Sequence, residues 1–193
     1  MFVSFDVMQA LFWSAAYILI IIFNIKYKYT AMPLFALINN FAWESVALAR
    51  DILSGVSGVG HLIHIAWFTL DLAIAVTYLL LCKKLYFKEI FSVLIYVIFL
   101  LVFIFSFNMW PSGMLISSFV IDFTMAVEYF IYSSKEAFPA NRLSISICSL
   151  KLYGDLCAWI YYMDYSRFIL VIGFFVLILN IMCLKTMMKR NCK

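Results

Sequence analysis

Residues 39–51 read NNFAWESVALARD, two amides, an indole, a glutamic acid and an Arg-Asp pair in a chain otherwise apolar enough to cross a membrane. At helical spacing Asn40, Glu44, Ala47 and Asp51 recur on one face, with Trp43 beside them and Asn39 one turn before Trp43. A carboxylic acid is costly in hydrocarbon, so such a face is expected to turn toward a bundle interior or a wet cavity rather than toward lipid. The segment therefore predicts a membrane helix with a polar, aromatic inner side.

The remainder of the chain agrees with that reading. Of its 193 residues 67% are apolar, 19% are aromatic and only 12% are charged; soluble domains carry about 25% charged residues. A span needs about 20 mainly apolar residues, which leaves room for seven helices, short loops and no soluble domain. The expected fold is all-α, a single polytopic bundle of seven transmembrane helices over residues 1–193, with spans at 7–25, 32–49, 61–82, 89–107, 112–132, 143–163 and 167–187. A closed barrel would alternate within ten-residue segments of roughly that length, whereas residues 91–107 are apolar on every side. Residues 1–6 contain no Lys or Arg and no small-residue cleavage pattern follows, so the first apolar run reads as a retained span.

Charge then orients the spans. Lys26 and Lys28 follow the first, Lys83, Lys84 and Lys88 the third, Lys135 and Arg142 the fifth, and Lys185, Lys189, Arg190 and Lys193 the last. The other side has only Arg50 and Arg167. Positive charge collects on the cytoplasmic side, which places the amino terminus outside and the carboxyl terminus in the cytoplasm. The net charge of +4 is thus a matter of topology, and no basic patch interleaved with aromatics suggests a nucleic-acid partner. Cys82, Cys148, Cys157, Cys183 and Cys192 are scattered without a CxxC spacing and read as packing residues. Between spans, residues 54–60 form a flexible Gly- and Ser-rich loop, and Asn108, Pro111 and Gly113 break the chain.

Three further spans carry polar stripes. His64, Trp67, Asp71 and Tyr78 align on the third span; Ser118, Asp122 and Tyr129 align on the fifth, with Glu128 on a different side; Ser144, Lys151, Asp155, Trp159 and Tyr162 align on the sixth. Lys151 and Asp155 stand four apart and are expected to pair with each other, since an unpaired buried charge would neutralise. His64 reads as a hydrogen-bonded histidine near the outer interface rather than a metal ligand, there being no second ligand cluster. Trp13, Tyr17, Tyr27 and Tyr29 read as part of an interfacial aromatic belt. Glu44 is the residue with a chemical use. Desolvation would hold it protonated, Asn40 would orient it, and a neutral buried carboxylic acid is a proton donor. The rings of Trp43, Trp67 and Trp159 offer negative π faces to a carbocation.

The run Asn40-Phe41-Ala42-Trp43-Glu44, followed by Trp67 to Asp71 in the next span, resembles the small seven-helix terpene cyclases of fungal meroterpenoid and indole-diterpene pathways and their bacterial relatives. In that family an early-span Glu and an Asp near the start of the last span are the essential acids, protonating an epoxide or terminal alkene of a polyprenyl chain. The resemblance implies Glu44 for the first acid and, for the second, Asp164 within Met163-Asp164-Tyr165, with Asp155 as competitor. It implies a class II style cyclase of isomerase or lyase type, acting on a hydrophobic prenyl substrate dissolved in membrane lipid, with no metal or other cofactor. Asn40, Trp43, Trp67, Asp71, Tyr78 and Trp159 are the expected substrate-binding residues. No Asp-Asp-x-x-Asp motif for diphosphate ionisation occurs. The residues themselves leave two other classes open: a small proton-coupled or substrate transporter using the same buried acids, and a non-catalytic membrane partner whose polar stripes only bind helices together.

Overall fold

In the computed structural model residues 3–81, 86–110, 112–135 and 138–192 are described. Cys82, Lys83, Lys84, Pro111 and Lys193, used in the charge, cysteine and loop arguments, lie outside the described residues, as does the side chain of Lys88. Among the described residues seven helices follow one another: α1 (Val3–Tyr27), α2 (Leu34–Leu53), α3 (Val59–Leu81), α4 (Tyr86–Met109), α5 (Gly113–Ser133), α6 (Arg142–Tyr162) and α7 (Arg167–Asn191). At 1.5 Å per residue they are roughly 30–38 Å long, the thickness of a bilayer's hydrocarbon core or slightly more.

Local chemistry sets the ends. Pro33, at φ −57°, is the N-cap of α2, which therefore begins two residues after the expected start; its ring fixes the entry and needs no hydrogen-bond partner. The Glu128 carboxylate of α5 accepts from the Ala36 N–H at 2.9 Å, placing negative charge at the positive end of α2. That helix runs on to Leu53 and stops where Gly55 takes φ +64°. Asn141 opens α6 with a reciprocal cap to Ser144, and Ser166 opens α7 by accepting from the Ile169 N–H. Helices α1, α4 and α7 outrun the expected spans because their polar ends, Lys26 or Lys189 for example, continue the backbone ladder past the apolar stretch.

Among the described residues six helices are long and apolar enough to cross a membrane, and the exception is α2. Glu44, Arg50 and Asp51 lower its apolarity, and its Asn39, Asn40, Glu44 and Asp51 are all buried. The exposed side of the molecule is the reverse: Leu11, Ile18 and Ile22 on α1, Leu94, Leu101 and Phe105 on α4, and Val171, Phe174 and Phe175 on α7 face outward. Apolar surface of that extent needs a covering phase, and polar groups gathered inside complete the pattern of a membrane-embedded bundle.

The helices close a ring in the order α1, α3, α2, α4, α5, α7, α6 and back to α1, with α2 also touching α5 across it. Small residues allow the closest approaches. A Cβ on Gly154 of α6 would stand 2.7 Å from Trp13 Cδ1, and one on Gly173 of α7 would collide with the Trp159 indole. One half of the ring is filled solidly by Ile20, Phe23, Met32, Ile74 and Met187, each 1% exposed or less. The other half contains a cavity.

Candidate functional site

The cavity, about 440 Å³, opens at the end of the bundle where α2 passes to α3 and α6 to α7. That volume falls in the range of small-molecule sites. Its rim carries Gln9, Arg50, Gly60, Ser112 and Tyr165; its walls carry the rings of Trp13, Tyr17, Trp43, Trp67 and Tyr162; Asn40, Glu44, His64, Ser118 and Asp122 supply the polar groups. Helical spacing explains the α2 contribution, since Asn40, Trp43 and Glu44 are three and four apart and share one inward face.

Hydrogen bonds hold most of the wall in place. The Asn40 amide donates to the Tyr17 hydroxyl at 2.7 Å and to Asp71 Oδ2 at 2.6 Å, tying α2 to α1 and α3. Both of its N–H groups are thereby used, so Asn40 donates to Tyr17 and Asp71 and keeps only its carbonyl oxygen for a partner such as a protonated Glu44. Trp43 Nε1 donates to Ser117 Oγ at 2.9 Å, and Asn39 Nδ2 to Thr124 Oγ1 at 2.9 Å, which fixes α2 against α5. Against this background two buried groups stand unmatched within the cavity wall: Glu44 Oε2 and Trp67 Nε1 have no hydrogen-bond partner in the protein. Unpaired buried polar atoms are uncommon in folded proteins, where they mark strain, an unseen water or a functional group.

The site residues expected from sequence do not all come together. Glu44, Asn40, Trp43 and Trp67 line the cavity together. Asp71, wholly buried, sits behind Asn40 rather than in the wall. Asp155 belongs to a separate interior cluster: Lys151 Nζ lies 2.7 Å from its Oδ2, as the spacing on α6 predicts, and Asn180 Nδ2 of α7 donates to the same oxygen at 2.6 Å. The Lys151 ammonium also lies over Trp13 at 4.9 Å and Tyr129 at 5.9 Å. Trp159 does not reach the cavity; its N–H donates to the Leu170 carbonyl at 3.1 Å in the α6–α7 crossing. Tyr78 packs against the hydrophobic core and is not among the residues that line the cavity. Asp164 is exposed in the turn before α7, next to Tyr165 of the rim.

Trp13 and Tyr17 correct the sequence reading. They are 5% and 3% exposed and form the cavity wall, not an interfacial belt. The reason is the neighbour of α1: the close packing on Gly154 of α6 draws that face inward. Asn180 was missed altogether, although a lone amide in the otherwise apolar α7 is itself a signal of an interhelical hydrogen bond. Among the described residues no group of three or more His, Cys, Asp or Glu could hold a metal ion. No protein-family model matches the chain, and neither a curated protein nor a solved structure matches it.

Proposed function

We propose that the chain is a membrane-bound terpene cyclase that starts cyclisation of a polyprenyl chain, or of its epoxide, by proton transfer from Glu44. The observation that carries the reading is the Glu44 carboxyl group, a member of the wall of a cavity lined by aromatic rings and buried there with one oxygen that no protein group matches. Each part has a use. The acid supplies the proton, and the indoles of Trp13, Trp43 and Trp67 present negative faces to the cation that follows. The low-dielectric interior keeps water from capturing that cation early. The substrate enters at the open end, and the filled half of the bundle closes the cavity below. Asp122, on α5, is the second carboxylate of the wall, while Asp164, the residue implied by the resemblance, stands outside it beside Tyr165. As proposed, the chain would stand among the small seven-helix terpene cyclases.

Phe23, Met32, Ile74 and Met187, each 1% exposed or less, fill the rest of the bundle. A cavity open at one end suits a reaction chamber as it suits one state of an alternating-access carrier, so product formation decides between them. The test is to incubate membranes containing the chain with prenyl alcohols, prenylated aromatics and their epoxides. Cyclic products of unchanged mass are expected. Uptake of solute into sealed vesicles with no product formed would reject the cyclase in favour of transport.

A further inference from the structure

Asp51, in the last turn of α2, and His64, in the second turn of α3, are brought together by the glycine-containing turn between those helices. Asp51 Oδ2 lies 2.7 Å from His64 Nδ1, and His61 Nδ1 approaches the same oxygen at 3.4 Å. The two partners of the shorter contact are mostly hidden, with side chains 15% exposed for His64 and 11% for Asp51. A carboxylate facing Nδ1 selects the tautomer with its proton there and leaves the Nε2 lone pair available. The His64 ring is part of the cavity wall that also carries Glu44, and it meets the Trp43 ring edge-on at 5.8 Å. A contact that served only to staple α2 to α3 would explain the Nδ1 partner but not the ring's place in that wall.

We propose that His64 is the base that ends the reaction and that Asp51 is its positioning residue. The proposal rests on the cyclase reading and deepens it. Glu44 gives its proton to the substrate, and ring closure leaves a carbocation. The carbon beside the cationic centre then loses a proton: the C–H electron pair becomes the new C=C π bond and the proton bonds to His64 Nε2. The resulting imidazolium is held through Nδ1–H against the Asp51 carboxylate. Return of that proton to the Glu44 carboxylate through cavity water restores both groups, so substrate and product are isomers. A wall with an acid and a base on separate helices thus needs no proton from bulk solvent during turnover.

The experiment compares membranes containing the wild-type chain, His64→Phe, His64→Gln, Asp51→Asn and Asp51→Glu, each supplied with a polyprenyl epoxide, and measures the ratio of the unsaturated cyclic alcohol, an isomer of the substrate, to the cyclic diol formed when water captures the cation. Loss of the base should lower that ratio about a hundredfold in either His64 variant. Asp51→Asn should move the ratio in the same direction and Asp51→Glu should restore much of it, whereas a merely structural role would reduce total product at constant ratio. An active His64 variant with the wild-type ratio overturns the assignment of the base while leaving the cyclase standing. A wild-type chain that forms no cyclic product overturns both. On the wild-type protein, ¹⁵N NMR should show His64 as the Nδ1–H tautomer, and an Nε2–H tautomer would contradict the proposal without any variant.

Discussion

Lys151 and Asp155 show how a single pair decides whether this interior is tolerable. Both are 3% exposed, and the ammonium is matched by one carboxylate and two aromatic faces. Asp155→Asn removes the charge partner and leaves Lys151 buried, which should cost about 3–5 kcal/mol, whereas replacing both by apolar residues of similar size should recover most of that loss. Thermal unfolding in detergent, with the two variants side by side, checks it. The pair was legible in the sequence because its members lie four apart on one helix. The third member, Asn180, comes from α7 and could not be paired without knowing which helices touch. The same limit explains Asp51 and His64: each was visible as a polar residue, but their contact depends on how the turn between α2 and α3 folds back.

At the scale of helices, the sequence read all seven, because long apolar runs separated by charged or Gly- and Pro-containing segments leave little choice. What periodicity cannot give is the neighbour of each face. Trp13 and Tyr17 look like interfacial aromatics along the chain and become cavity wall only because α1 packs closely on α6 at Gly154. These crossings are sensitive to one carbon atom. Gly173→Ala should force the Trp159 ring out of the α6–α7 crossing and lower stability by about 1–3 kcal/mol. Gly60→Ala, whose added carbon meets nothing within 4 Å, is the matched control and should leave the melting temperature nearly unchanged. Equal melting temperatures for the two variants would show that the crossing has slack, and the tight α6–α7 packing would have to be redrawn.

For the whole molecule, apolar outer faces and a polar interior make one membrane-embedded bundle with a chamber at the end where α2 passes to α3 and α6 to α7. The distribution of Lys and Arg predicts that this end, with the turn between α2 and α3, faces outward. A membrane-impermeant thiol reagent applied to intact cells should therefore modify a cysteine introduced at the exposed Ser57 and spare Cys192, which is exposed at the opposite end; the reverse pattern would invert the topology. The buried acid on α2 was readable from residues 39–51, and His64, Trp67, Ser118 and Asp122 were visible as members of polar stripes; that these faces meet, and that Trp13 and Tyr17 of α1 join them, was not, because the order in which helices close the ring sets it. The central claim is that Glu44 delivers the initiating proton, and the turnover of Glu44→Gln tests it most directly, since the amide keeps the shape and loses the acidic proton. In membranes where the wild-type chain converts a polyprenyl epoxide to a cyclic isomer, an equally well-folded Glu44→Gln protein should be slower by at least about a hundredfold; cyclisation by that variant at the wild-type rate would contradict the account.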